Sequence, residues 1–167
     1  WILFNKPQWD DWGRLTDHLR VMDLKILGPI GDFTVDDARA YHEATYSIGM
    51  GAGRRFVKQV DLAGRQRILD IGGGSGAYCI NAAQTYPEIK AVVFDLPPVV
   101  EVANEFIAEH GVAERVSAVG GDFTKDNFPA GADVGIMASN LPMYGPEMIE
   151  RVVQKAFDAL EPGGEMH

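Results

Sequence analysis

The sequence has few of the features that would tie it to an oxidising compartment, a membrane or a nucleic acid. Its single cysteine, Cys79, has no partner for an internal disulfide, so we expect a reducing, cytoplasmic location. No apolar run is long enough to cross a bilayer. The net charge of −9 argues against nucleic acid or an anionic membrane as the main partner.

Metal ligands are scarce as well. The chain has four histidines and one cysteine, and none of them stand at the spacing of a metal site, so we expect no metal. What remains is a chain of 167 residues, 46% of them hydrophobic, which is long enough to bury a sizeable core as one domain.

The most informative segment is residues 68–77, Ile-Leu-Asp-Ile-Gly-Gly-Gly-Ser-Gly-Ala. An apolar run with a carboxylate leads into a glycine cluster, and a helical pattern follows. This order is typical of the first strand, tight turn and helix of a nucleotide-binding α/β sheet. The glycines let the backbone approach a ligand where a Cβ would clash.

The glycines alone do not identify that ligand, because Gly72-x-Gly74-x-x-Ala77 also fits the dinucleotide pattern. Asp70 discriminates between the two, since a carboxylate at the end of the strand would repel a pyrophosphate but attract the ammonium of a methionine group. S-adenosylmethionine (SAM) carries that ammonium and no phosphate. A nicotinamide cofactor and a purely structural glycine turn are the alternatives.

From residue 67 onward, strand and helix patterns alternate, which indicates a parallel sheet. We predict strands over 67–71, 90–95, 115–120 and 133–138, and helices over 77–86, 98–110 and 146–160. Thr34 and Asp37 resemble a capping box that opens an earlier helix running to about residue 61. Three glycines within that helix predict either a break or a close packing partner: Gly49, Gly51 and Gly53.

Carboxylates follow three successive strands of the predicted sheet. Asp70 and Asp95 stand at the ends of the first two, and Asp122 follows the third. An acid at the second position can accept hydrogen bonds from both ribose hydroxyls, and Asp122 can accept one from an adenine amino group with Phe123 against the ring. Ligands of such sheets bind beyond the carboxyl ends of the strands, so a nucleoside site is predicted there.

Three stretches resemble the SAM-dependent small-molecule O-methyltransferases: residues 68–76, the Phe-Asp-Leu-Pro run at 94–97, and residues 119–123. The resemblance includes plant phenolic, hydroxyindole and bacterial natural-product enzymes, and it extends through Leu-Glu-Pro-Gly-Gly at 160–164 and Trp12-Gly13-x-Leu15. It implies an α/β fold with the Rossmann-like class I methyltransferase sheet, mostly parallel, with helices on both faces. A helical segment over 1–64 would lead into a SAM-binding domain over 65–167.

The resemblance also implies roles for individual residues. Asp70, Gly72, Gly73 and Gly74 match the loop that holds the methionine part of SAM. The remaining matches are to ribose and adenine contacts and to an aromatic wall of the pocket: Asp95, Leu96, Asp122, Phe123 and Tyr41.

The catalytic position departs from the family pattern. Pro142 stands where these enzymes often carry a histidine that acts as general base, and Ala138 stands where plant members carry a lysine. His42 could face the cleft, although a structural role is favoured. The catalytic residue is therefore left unassigned.

The resemblance predicts further parts that this sequence lacks, namely an N-terminal winged-helix dimerisation domain and the last strands. We expect the fourth strand, residues 133–138, to have a bare outer edge, because no later strand is predicted. Another copy of the chain, further residues or a rearranged segment such as 1–34 would have to cover it.

The predicted function is SAM-dependent methylation of a small molecule at a hydroxyl oxygen, with S-adenosylhomocysteine (SAH) as the product. A homo-oligomer is possible. The absence of the histidine fits an acidic phenol or a carbon nucleophile, or a module of the same fold that binds a ligand or partner without methyl transfer.

Overall fold

Five parallel strands form one sheet in the computed structural model, which describes residues 5–6, 9–21 and 33–167. The strand order is β3-β2-β1-β4-β5, and all four neighbouring pairs are parallel. The strands are β1 (Arg67–Ile71), β2 (Lys90–Asp95), β3 (Val116–Gly120), β4 (Ala132–Ile136) and β5 (Leu160–Met166). The direction of progression reverses between β1 and β4, and this switch point is where such sheets bind ligands.

Six α-helices accompany these strands in the described ranges. They are α1 (Trp9–Gly13), α2 (Leu15–Val21), α3 (Val35–Gln59), α4 (Ala77–Thr85), α5 (Pro97–Glu109) and α6 (Pro146–Ala159), and a short 3₁₀ turn spans Leu141–Met143. Proline begins both α5 and α6, where its missing N–H removes no helical hydrogen bond. No helix in the described part of the chain is long and apolar enough to span a membrane.

The alternation of side chains along the strands produces two apolar layers. Ile68, Val93 and Val134 point to one face and pack with α3 and α4, whereas Leu69 and Ile71 point to the other and pack with α6. This arrangement confirms the predicted parallel α/β sheet with helices on both faces. The proposed boundary between residues 64 and 65 stays a prediction, and part of the segment 1–64 lies outside the described residues.

Helix α3 begins with the predicted capping box and continues through its glycines. The side chains of Thr34 and Asp37 each accept a hydrogen bond from the other's backbone N–H. A close packing partner explains Gly53, because a Cβ there would lie 2.6 Å from the carbonyl oxygen of Ala77 in α4. At Gly51 the nearest atom is 4.0 Å away, so packing does not explain that glycine.

The prediction of a bare outer edge on the fourth strand is wrong. Residues 160–166 form β5, which pairs with β4 along that edge. The Pro-Gly-Gly run at 162–164, whose composition indicates a helix stop, lies inside this strand at an irregular register. The pairing extends to His167, whose carbonyl accepts a hydrogen bond from the Met137 N–H at 2.9 Å.

Candidate functional site

The glycine loop between β1 and α4 lies at the switch point of the sheet. Gly72 and Gly74 have φ of +67° and +56°, a backbone conformation that side chains other than glycine rarely adopt. A Cβ on Gly74 would lie 2.7 Å from Cε1 of His42, and one on Gly72 would collide with the Asn140 amide. Both the backbone angles and the neighbours therefore require glycine.

Asp95 joins the end of β2 to this loop. Its carboxylate accepts hydrogen bonds from the Gly74 N–H at 2.8 Å and from the Leu96 N–H at 2.7 Å. Burial raises the pKa of Asp95, and these two N–H groups oppose that shift. The side chain remains half-buried, and a carboxylate has enough lone pairs to accept further hydrogen bonds from a ligand.

Asp70 lies beneath the loop and is only 1% exposed. Its carboxyl group is so close to the loop that a Cβ on Gly73 would lie 2.6 Å from Cγ of Asp70. The Cys79 thiol is 3.7 Å from Oδ2 and donates a weak hydrogen bond. Burial raises the pKa of Asp70 to about 7, and the nearby charge of Asp95 adds to the rise. The predicted contact of Asp70 with an ammonium stays a prediction.

Asp122 and Phe123 form a tight turn after β3. The Asp122 carboxylate accepts hydrogen bonds from Thr124 and Lys125, the latter at 2.8 Å. Burial acts to raise the pKa of Asp122, but these donors outweigh it and lower the pKa. The Phe123 ring packs edge-on against Tyr144 at 5.4 Å between ring centroids. An aromatic pair thus stands beside the carboxylate.

Helix α3 brings Tyr41 and His42 to the same region. Tyr41 is 41% exposed and packs edge-on against the His42 ring at 5.1 Å. His42 is buried against the glycine loop, and burial lowers its pKa to about 4. The structure therefore gives His42 a neutral packing role at neutral pH, in agreement with the structural role that the sequence favoured.

Asn140 is a residue that sequence reasoning missed. It is buried beside Gly72, and its Nδ2 donates to the Ile71 carbonyl at 2.6 Å, while Oδ1 is buried without a hydrogen-bond partner. The preceding Ser139 has φ of +65°, which is a strained conformation for a non-glycine residue. The available signal was its position shortly after the fourth strand, as Asp122 lies shortly after the third.

The position of the family's usual base is occupied by an exposed proline. Pro142 lies in the 3₁₀ turn and has no proton acceptor on its side chain. Tyr144 lies two residues later, and burial together with the charges of Asp122 and Asp95 raises the pKa of its hydroxyl, which keeps it protonated and unable to accept a proton at neutral pH. Within the described ranges, no group of His, Cys, Asp and Glu side chains is arranged to hold a metal ion.

The structure brings the predicted residues to the carboxyl ends of the strands, around the glycine loop. The carboxylate of Asp95, the glycine backbone and the Phe123 ring provide acceptors, close approach and an aromatic surface, which suit a nucleoside. Asp70 alone among the predicted carboxylates is closed off from the surface.

Comparisons with known proteins agree with this geometry. The sequence matches the profile of an O-methyltransferase domain over residues 33–166. It is 33% identical to the L-tyrosine C(3)-methyltransferase of Streptomyces lavendulae, over 75% of this chain and 34% of that protein. It is 31% identical to the 3-hydroxy-5-methyl-1-naphthoate 3-O-methyltransferase of Streptomyces sahachiroi, over 75% of this chain and 36% of that protein. The chain thus spans about a third of the length of these relatives.

Solved structures show the same fold. The apo S-adenosylmethionine-dependent methyltransferase SibL superposes with a TM-score of 0.68 at 32% identity, over 76% of this chain and 37% of that one. The human N-acetylserotonin methyltransferase in complex with SAM gives a TM-score of 0.76 at 26% identity, over 93% and 47%. These matches confirm the predicted family and the Rossmann-like methyltransferase fold. One of the two proteins depends on S-adenosylmethionine and the other was solved with SAM bound, which agrees with the predicted cofactor.

Proposed function

Because the chain belongs to the O-methyltransferase domain family, we propose that it is the SAM-binding part of a methyltransferase that acts on a small molecule. The observation that carries this proposal is the junction of Asp95 with the glycine loop. The carboxylate is held by two backbone N–H groups at the switch point of the sheet, beside the glycine loop, whose residues 72–74 have only backbone to present to a ligand.

The residues around this junction fit the parts of SAM. The backbone of residues 72–74 receives the methionine end, and the buried carboxyl of Asp70 supports that loop and provides negative charge when ionised. Asp95 accepts hydrogen bonds from the ribose hydroxyls, with Leu96 beside the nucleoside. Asp122 and Phe123 contact the adenine, and the last predicted contact, the Tyr41 ring, lines the pocket from α3.

SAM supplies an electrophilic methyl group, and the protein has to align a nucleophile with it. Alignment alone accounts for much of the rate of such a transfer. A hydroxyl oxygen is the proposed acceptor. With Pro142 at the position of the usual base, this chain suits an acceptor that ionises easily in water, such as an acidic phenol. The named chemistry of the relatives includes both carbon and oxygen methylation.

Pro142 also favours a second candidate, a module that binds SAM or a related ligand without transferring the methyl group. The two candidates differ in one measurement. Incubation with methyl-labelled SAM and a panel of phenols releases SAH and a labelled product only if the protein is a methyltransferase, whereas both candidates predict binding of SAH.

The test of the cofactor site is calorimetric titration with SAH. We expect Asp95→Ala to weaken binding by about 1–3 kcal/mol, roughly 5- to 150-fold in Kd, because it removes a charged acceptor. Asp133→Ala is the matched control. Asp133 also accepts hydrogen bonds from two backbone N–H groups, those of Gln66 and Arg67 at 2.8 Å, but at the amino ends of the strands, away from the glycine loop. Undiminished binding by Asp95→Ala would remove Asp95 from the site.

A further inference from the structure

Lys155 is a cation of α6 that reaches across to the turn after β3. Its Nζ donates to the carbonyl oxygens of Phe123 at 2.7 Å and of Asp126 at 2.6 Å. The same ammonium stands 4.8 Å from the centroid of the Phe128 ring. Two hydrogen bonds from a cation and a cation–π contact therefore converge on one short segment, residues 123–128.

This ammonium is not an ordinary surface charge. Lys155 is half-buried, and its burial lowers its pKa. Lys125, by contrast, is 78% exposed at the side chain and pairs with the Asp122 carboxylate. A desolvated ammonium is retained only where its hydrogen bonds compensate the lost hydration. Here those bonds go to backbone carbonyls rather than to a carboxylate, so the contact fixes the path of the backbone.

The segment that Lys155 holds begins with Phe123, one of the two predicted adenine contacts, and directly follows Asp122, the other. The Phe123 carbonyl belongs to the residue whose ring packs on Tyr144, and Asp126 accepts the Asp122 N–H at 2.8 Å. The Phe128 ring packs edge-on against Phe94, next to Asp95, at 5.2 Å between centroids. Lys155 thus holds the turn of the predicted adenine contacts through the backbone carbonyls of Phe123 and Asp126. Through the Phe128 ring it is also linked to Phe94, the residue before Asp95.

We propose that Lys155 is a positioning residue for adenine recognition, through its hydrogen bonds to the backbone of residues 123 and 126. This inference rests on the proposed function, because it takes the turn at 122–123 to be the adenine subsite. Lys155 does not touch the base. It sets where the Asp122 carboxylate and the Phe123 ring stand relative to it.

A pair of ligands that differ only at the base tests this role. SAH carries an adenine amino group, which can donate a hydrogen bond to a carboxylate. S-inosylhomocysteine carries a carbonyl oxygen at the same position of the base, and a carboxylate repels it. We expect the native protein to prefer SAH at least tenfold in calorimetric titrations. Lys155→Met keeps the length of the side chain but removes the donor, and it should reduce that preference at least fivefold.

Gln154→Met is the matched control, since it removes only an exposed hydrogen bond to Asp158 on the same helix. It should retain the native preference. Lys155→Gln is the second variant in case Lys155→Met does not fold, and it should also reduce the preference, because its shorter, neutral amide cannot hold both carbonyls.

The outcomes separate the inference from the function on which it rests. If the native protein prefers SAH and the folded Lys155 variants keep the same preference, the positioning role is overturned and the proposed function stands. Equal weakening of both ligands, together with a lower Tm, would reduce Lys155 to a structural residue and overturn the role as well. If the native protein binds neither ligand, the proposed function itself fails.

Discussion

Two buried titratable residues, Asp70 and His42, contact the glycine loop, and each is held in its neutral form near pH 5 to 6. The folded-state pKa of Asp70 is about 7, above the ordinary 3.8, because burial disfavours the carboxylate. The folded-state pKa of His42 is about 4, below the ordinary 6.5, because burial disfavours the imidazolium. The same physical cause therefore shifts the two values in opposite directions.

These shifts predict opposing contributions to stability between pH 4 and 7. The contribution of Asp70 is complete below about pH 4 and is lost as the pH rises to about 7. The reason is that the unfolded chain releases the Asp70 proton near pH 4, whereas the folded protein retains it up to about pH 7. The contribution of His42 is complete above about pH 6.5 and is lost as the pH falls to about 4. The two slopes offset one another in the native protein.

We therefore expect Asp70→Asn to make the free energy of unfolding rise from pH 4 to 7 relative to the native protein, and His42→Gln to make it fall. Each relative change should be on the order of 2 kcal/mol across that range. Urea unfolding at a series of pH values measures this. Asp95 titrates in all three proteins, so its effect largely cancels in the comparison. Parallel profiles for the two variants would contradict the burial of these groups.

At the residue scale, the sequence identifies a polar side chain that interrupts or ends an apolar run. It misses polar side chains whose role depends on contacts with residues distant in the sequence. Asp95 is recognisable because a carboxylate ends a buried strand. Asn140 and Lys155 are not, because their partners are backbone carbonyls of residues far along the chain, Ile71 for the first and Phe123 for the second. Sequence spacing carries no record of such contacts.

At the element scale, the glycines of α3 show how one residue type follows from different causes. Gly53 allows α3 to approach α4 so closely that a Cβ would overlap the Ala77 carbonyl, which is backbone and cannot move aside. Gly51 has no such neighbour and lies in a helix of 25 residues. Its flexibility costs the helix up to about 1 kcal/mol relative to alanine.

Glycine-to-alanine substitutions at two positions of α3 that are only two residues apart are therefore expected to have opposite effects on the free energy of unfolding. Gly51→Ala should raise the free energy of unfolding by about 0.5–1 kcal/mol, through helix propensity. Gly53→Ala should lower it by about 1–3 kcal/mol, because the helices must separate to admit the methyl group. Urea unfolding of both variants measures the two effects. A gain in stability from Gly53→Ala would show that the α3–α4 contact is looser than described.

The elements differ in how well their sequences predict them. Strands β1, β2 and β4 contain apolar runs of branched residues, and helices α3, α5 and α6 begin with a capping box or a proline, so local chemistry and tertiary structure agree there. Strand β5 reads Leu-Glu-Pro-Gly-Gly-Glu-Met, which has no β-branched residue and three residues that strands disfavour. Its conformation comes from pairing with β4, which no local pattern reveals.

At the scale of the whole molecule, the position of β5 decides which backbone groups water reaches. The sequence predicts an open edge on β4, whereas the structure moves the open edge of the described sheet outward to β5. The Met166 side chain of β5 lies over Gly135, where a Cβ would collide with its sulfur. The absence of a side chain at Gly135 makes room for the Met166 side chain.

Hydrogen exchange distinguishes the two arrangements. The Met137 N–H donates to the His167 carbonyl, so we expect this amide to be protected in the native protein, although less than the amides of β2, which is paired on both sides. A variant that ends at Gly163 lacks the acceptor and should lose the protection of Met137 while β2 keeps its own. Amide exchange followed by NMR resolves both. Rapid exchange of Met137 in the native protein would mean that β4 has the open edge that its sequence predicts, and that residues 164–167 do not pair in solution.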